Sequence, residues 1–320
     1  MISETLPNSM EEPPPSSLYG RDCLTLTEYT PAELEQILEE ASRIKSLQKS
    51  GMQFQPLRGK TLAMVFQKPS NRTRVSFEVG MYQLGGHGVF LGPEEIQMGV
   101  RETVSDTGRA LAGYTDGIMA RVFSHEHIEE LAAAAAVPVI NGLSDLHHPC
   151  QALADLLTIR EEFGRLEGVK VTFVGDGNNV AHSLMVGCAM TGAQFTLSHP
   201  PGHAPAPELV ELARSLGGDP HLTEDPRAAV AGAQVVYTDV WASMGQEEEA
   251  EERAERFLPY QVNSSLMQAA ASEAIFMHCL PVHREQEATS EVVDGPQSRA
   301  FPQAENRLHA QKGLLYLLMG

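Results

Sequence analysis

The stretch Gln67-Lys-Pro-Ser-Asn-Arg-Thr-Arg-Val-Ser-Phe-Glu78 constrains this chain more than any other. It follows an apolar run, Thr61 to Phe66, that reads as a buried parallel strand. It opens a segment, Asn71 to Leu84, in which Val75, Val79 and Leu84 recur at helical spacing. The connection is therefore a helix N-terminus, where unpaired backbone N–H groups and a partial positive charge face outward. Ser70 and Thr73 add hydroxyls there, and Arg72 and Arg74 add guanidinium groups. Such an end suits a small dianion such as a phosphate. Taken alone, it is equally a helix capped by Ser70 with its arginines in water.

The rest of the chain decides what surrounds that end. With 320 residues there is length for two α/β domains, each with its own core. A formal charge of −19 excludes a general nucleic-acid or anionic-membrane binder, because those need a basic face. An anionic ligand would then be held by a local cluster of arginines. Cys23, Cys150, Cys188 and Cys279 show no paired spacing, and the N-terminus does not read as a signal peptide, so a reducing cytoplasm is expected. No apolar run approaches the roughly 20 residues a membrane helix needs. Residues 1–18, which include Glu11-Glu-Pro-Pro-Pro-Ser-Ser17, read as a disordered extension.

Thr30-Pro-Ala-Glu33 is a capping box with proline at the first helical position, and apolar residues then recur at helical spacing as far as Leu47. After the Asn71 helix come strands at Gly88 to Leu91, Gly117 to Val122 and Val137 to Ile140, with a helix from Arg101 to Tyr114. A long amphipathic helix, His148 to Phe163, leads into a second alternation. Its strands are Lys170 to Val174, Gln194 to Ser198, Gln234 to Thr238 and Ala274 to His278. Its helices are Asn178 to Gly192, Pro207 to Leu216, Pro226 to Ala231 and Tyr260 to Ala271, with a last one from Glu305 to Met319. Strands separated by helical segments predict an α/β fold of two domains, each a parallel sheet flanked by helices. The boundaries expected are 19–153, then 154–303, with the helix in 304–320 packing back on the first domain. Ser70, Arg121, Asn141 to His148, Gly175 to Asn179, Asp239 and Cys279 each lie just beyond a strand's C-terminal end. Ligands bind at that edge of an open α/β sheet, so the site is expected in the cleft between the domains.

Single clusters remain ambiguous. Gly175-Asp-Gly-Asn-Asn-Val180 has the place of a dinucleotide fingerprint, but Val180 stands where the third glycine belongs, which disfavours an oxidoreductase. The histidines at 125, 127, 147, 148 and 278 lack a paired-cysteine or His-Glu-x-x-His arrangement, so no metal is expected. His278 and Cys279 are neighbours on a strand and point to opposite faces, which argues against a thiol nucleophile activated by that imidazole. The glutamate-rich run Gln246 to Arg253 reads as a solvated flank.

Taken together and in order, Ser70-Asn-Arg-Thr-Arg74, His148-Pro-Cys-Gln151, Asp239-Val-Trp-Ala-Ser-Met-Gly245 and His278-Cys-Leu-Pro281 resemble the carbamoyltransferases of ornithine and aspartate, from about Leu24 to Met319. The last two segments are similar to the ornithine members. The resemblance implies carbamoyl transfer from carbamoyl phosphate to the δ-amine of ornithine, giving citrulline and phosphate, with no cofactor. It assigns Ser70, Asn71, Arg72, Thr73, Arg121, His148, Gln151, Cys279, Leu280 and Arg307 to carbamoyl phosphate, with Arg72, Arg121, His148 and Cys279 nearest the chemistry. Arg74 looks structural, and His147 competes with His148 if the register is off by one. Asn179, Asp239, Ser243 and Met244 are assigned to ornithine. Gln97 is implied to reach a neighbouring subunit's site, so the partners expected are the two substrates and copies of the chain in a homotrimer or a multiple of it. Aspartate, acetylornithine and putrescine remain alternative acceptors.

Overall fold

A computed structural model describes residues 16–242 and 250–320. The first domain holds a four-stranded parallel sheet in the order β2-β1-β3-β4, built from β1 (Thr61–Phe66), β2 (His87–Leu91), β3 (Gly117–Arg121) and β4 (Val139–Leu143). Its helices are α1 (Pro31–Lys49), α2 (Asn71–Gln83), α3 (Pro93–Ile96), α4 (Val104–Ala112) and α5 (His125–Ala134). Helix α6 (Pro149–Phe163) leads to the second domain. There α7 (Asn179–Thr191), α8 (Pro207–Ser215), α9 (Pro226–Val230), α10 (Ala250–Phe257), α11 (Ser264–Met267) and α12 (Ser290–Val293) surround a five-stranded parallel sheet. Its strands β5 (Lys170–Val174), β6 (Gln194–Ser198), β7 (His221–Thr223), β8 (Val235–Thr238) and β9 (Ile275–His278) run in the order β7-β6-β5-β8-β9. Helix α13 (Ala300–Met319) closes the chain and packs on α1, α2 and α6.

Alternation along each strand explains how the layers are cemented, since successive side chains point to opposite faces. On β1, Leu62, Met64 and Phe66 join the large core shared with α1, α6, α7 and α13, while Ala63 and Val65 join a separate core with Ile128 and Leu131 of α5. On β8, Val235 and Tyr237 face the shared core, and Val236 packs with Phe276 on the outer side. The two domains are therefore joined by one apolar interior through α6 and α13. Among the described residues no helix is long and apolar enough to cross a membrane.

Three expectations change. Leu18, placed above in the extension, is fully buried, and Gly20 N–H donates to the Leu318 carbonyl at 3.0 Å; the apolar side chain finds a slot beside α13 once the Pro/Glu composition has ended. The Tyr260-to-Ala271 helix is a short 3-10 turn, Leu258–Tyr260, followed by α11, because Asn263 accepts from Leu266 N–H and restarts the helix. In the glutamate-rich run only Arg253 departs from the expectation: it is buried within helical Ala250–Phe257, while Glu251 and Glu252 are exposed and residues 246–249 lie outside the described residues.

Candidate active site

Each sheet reverses its strand order once, and the crevice beyond such a point is where open α/β sheets bind ligands. In the first sheet the reversal lies between β1 and β3. The Ser70–Thr73 turn leaves β1 there, and Arg121 ends β3, paired with Phe66. In the second sheet it lies between β5 and β8, which deliver Asp176 to Asn179 and Asp239. The two crevices open into one cavity of about 770 Å³ lined by residues of both domains.

The first-domain wall is cationic. Ser70 caps α2, accepting from Thr73 N–H at 3.3 Å. Arg307, on α13, is almost fully buried and donates to Gln151 Oε1 at 2.7 Å and to Thr73 Oγ1 at 3.3 Å. Arg72 donates to the Leu280 carbonyl at 2.6 Å. Burial, then repulsion from Arg307 and Arg72, pushes the Arg121 guanidinium down to about 10. The same burial and the same three guanidinium groups hold His148 well below the ordinary imidazole range, so its ring is neutral. Among the described residues, Nε of Arg121, Nε of Arg307 and Nδ1 of His148 are buried without a hydrogen-bond partner. Buried polar groups ordinarily find partners, so this wall is built to receive an anion and a polar group beside it.

The second-domain wall is acidic and amide-rich. Asp239 accepts from Asn178 Nδ2 at 2.8 Å, from its own neighbour Val240 N–H at 2.8 Å and from the Cys279 thiol at 2.9 Å. Burial and the Asp239 carboxylate push the thiol well above its ordinary range, so Cys279 is a protonated donor rather than a thiolate nucleophile. Asn179 donates to the Ser144 carbonyl at 2.6 Å. Asp239, His278 and Cys279 offer ligand atoms within 4.8 Å of one another. Their atoms are already engaged: the thiol with Asp239, and the imidazole with Glu287 and Leu280 N–H.

Residues 21–161 match the family description "Aspartate/ornithine carbamoyltransferase, carbamoyl-P binding domain", and residues 167–318 match its "Asp/Orn binding domain". The chain belongs to the aspartate/ornithine carbamoyltransferase family. It is 55% identical over 308 residues to the ornithine carbamoyltransferase of Thermococcus kodakarensis, covering 95% of this chain and 98% of that one. It is 52% identical to that of Bacillus subtilis, covering 95% of each. The solved ornithine carbamoyltransferase of Pyrococcus furiosus superposes with a TM-score of 0.92 at 54% identity, over 95% of this chain and 98% of that one.

Within this carbamoyltransferase fold, the cavity is lined by Ser70, Asn71, Arg72, Thr73, Arg121, His148, Gln151, Asn179, Asp239, Cys279, Leu280 and Arg307. Among the described residues singled out from the sequence, Gln97, His147 and Arg74 are not in that lining. Gln97 is exposed on the turn after α3, its amide bonded to the Glu94 carbonyl at 3.2 Å. Ser243 and Met244 lie outside the described residues. His147 packs edge-on against His125 at 5.0 Å instead of lining the cavity. Arg74 points out, over the Phe90 ring at 3.8 Å.

Asp176 and Asn178 also line the cavity; they fall in the Gly175-to-Asn179 cluster expected at a strand end, but that expectation gives no role to either. Asn178 caps α7 with its Oδ1 while its amide holds Asp239, a double duty that its place at a strand end did not specify. Asp176 takes Arg253 of α10 and, at 3.2 Å, His203. Arg253 gave no signal because glutamates surround it in sequence, although it also donates to the Trp241 carbonyl at 2.5 Å.

Proposed function

We propose that the protein transfers the carbamoyl group of carbamoyl phosphate to the δ-amine of ornithine, releasing phosphate and citrulline. One observation carries the reading: Arg72, Arg121 and Arg307, with neutral His148, face Asp239 and Asn179 across a single cavity. In this reading the α2 N-terminus, Ser70, Asn71, Thr73 and the three arginines grip the phosphate. The orphan ring nitrogen of His148 and the Arg72 guanidinium lie toward the carbamoyl group, with Gln151 beside them. Asp239 and Asn179 take the α-ammonium and carboxylate of the amino acid, to which the resemblance also assigns Ser243 and Met244. The carbonyls of Cys279 and Leu280 orient the attacking amine.

The carbamoyl group is already activated by its phosphate, so these residues need only align two substrates and stabilise charge on the carbonyl oxygen and the leaving phosphate. Alignment is worth roughly 7–11 kcal/mol. Loss of one charge-stabilising donor costs about a hundredfold or more in rate, which sets the expectation for Arg72→Ala. Phosphate release is measured with carbamoyl phosphate and ornithine, aspartate, acetylornithine or putrescine in turn. Turnover with ornithine, lost in Arg72→Ala, supports the reading. Preference for another amine, or wild-type turnover in the variant, overturns it.

The reading extends to a homotrimer or a multiple of it. Exposed Val75 and Tyr82 on α2 flank an apolar depression with Val79 beside strand β2, which lies at the edge of its sheet and is open to a subunit contact. It also extends to a cytoplasmic setting, which suits four free cysteines, three of them buried.

A further inference from the structure

Strand β9 ends in a carboxylate–imidazole pair that the chemistry above leaves unused. His278 and Glu287 are both fully buried. The imidazole Nδ1 accepts the Leu280 N–H at 2.9 Å, so the ring proton sits on Nε2, which donates to Glu287 Oε1 at 3.2 Å. Glu287 Oε1 also accepts His283 N–H at 2.6 Å, and His278 N–H donates to Gln303 Oε1 at 2.9 Å. Both ring nitrogens are therefore committed, and neither can take a proton from Cys279.

What the pair holds is unusual backbone. Leu280 has φ +59°, a left-handed conformation that a branched side chain adopts only when its surroundings enforce it. A side-chain acceptor that captures the N–H two residues on stabilises a tight turn, as asparagine does in an Asx turn. The turn aims the Leu280 carbonyl at Arg72 Nη2, 2.6 Å away, across the line where the two walls of the cleft meet.

We propose that His278 and Glu287 are positioning residues: the carboxylate fixes the imidazole tautomer, the imidazole fixes the Leu280 turn, and the turn presents its carbonyl to the cleft and to Arg72. The inference deepens the carbamoyltransferase reading and rests on it. Of the groups proposed to grip the phosphate, only Arg72 is touched by this chain of contacts; Ser70, Thr73, Arg121 and Arg307 hold it independently. Loss of the chain of contacts therefore falls on turnover more than on KM for carbamoyl phosphate.

The test compares His278→Leu, which removes the acceptor, with His278→Asn, whose Oδ1 can capture the same N–H. Steady-state kinetics with carbamoyl phosphate and ornithine are measured on thermally matched, folded protein. His278→Leu is expected to lower kcat about 30- to 100-fold, on the scale of losing an oriented transition-state contact, with KM for carbamoyl phosphate changed less than about threefold. His278→Asn is expected to recover kcat to within about fivefold of wild type, because the turn is restored. Nitrogen-15 NMR of the wild-type histidines at pH 7.5 reads the tautomer directly, whether or not His278→Leu folds, and the Nε2–H form is expected. Unchanged kcat in His278→Leu, no rescue by His278→Asn, or an Nδ1–H tautomer overturns the positioning role alone. A wild-type protein that turns over none of the amines would overturn the functional reading and this inference with it.

Discussion

Asp155 shows how a single buried side chain can link the cavity to the stability of the whole chain. It sits fully buried on α6, two turns from the cavity end of the helix, and its carboxylate accepts from Gln151 at 2.8 Å, Gln303 at 2.7 Å and Tyr237 at 3.2 Å. Burial raises it and those three donors lower it; burial wins, leaving the carboxyl at about 7 against an ordinary 3.8. A folded-state value above the unfolded one means the native protein holds this proton more tightly. The contribution to stability is thus fully present below the unfolded value and is lost as pH rises toward 7, with a ceiling of about 4 kcal/mol at one unit per ~1.4 kcal/mol. Asp155→Asn cannot ionise and should remove that loss. Between pH 5 and pH 8 the variant's melting temperature is expected to gain on wild type by several degrees, read by calorimetry at both pH values. An equal pH trend in the two proteins would show that Asp155 stays ionised throughout. No periodicity in the sequence could reveal this residue, because Asp155 occupies what reads as one more polar position on an amphipathic helix, and its three partners come from as far away as Gln303.

At the scale of elements, α1 and α13 cross at Gly313, where a Cβ would stand 2.8 Å from Ala41 N and 2.9 Å from the Ile37 carbonyl oxygen. Those neighbours are backbone atoms of α1 and cannot swing aside. Gly313→Ala gains up to about 1 kcal/mol of helix propensity. Forcing two buried helices apart costs about 1–3 kcal/mol or more, so the clash should win. The expected result is a melting temperature lowered by several degrees, and an unchanged or raised one would show that the crossing is slack. Elements such as these were legible where local signals were strong: the capping box at Thr30 and Glu33 is present in full, and β5 and β6 fall on the expected residues. Strand β7 was missed because only His221–Thr223 pair at the edge of the sheet. Helix α5 was missed because a histidine- and alanine-rich segment shows little apolar periodicity, and α10 because its glutamates look like solvated chain. The strand ends that bear the site were legible for a different reason, since each apolar run stops abruptly at a polar or charged residue.

At the scale of the molecule, the two reversals of strand order make the cleft, yet Gln97 lies outside it. Its backbone is left-handed, with φ +40°, and its side chain is exposed next to Gly99. Gln97 is not among the residues lining its own chain's cavity, so in the proposed trimer its role would lie in a neighbour's site. In a closed ring each site would then combine one subunit's Arg72 with the next subunit's Gln97. Arg72→Ala and Gln97→Ala are each expected to be nearly inactive as pure proteins. When the two are dissociated together and reassembled in equal amounts, about a quarter of the sites should have an intact Arg72 facing an intact Gln97, so activity should return to roughly that fraction of wild type. Mixing without reassembly should restore nothing. If the reassembled mixture stays as inactive as its parents, Gln97 serves its own subunit or none, and the site is complete within one chain.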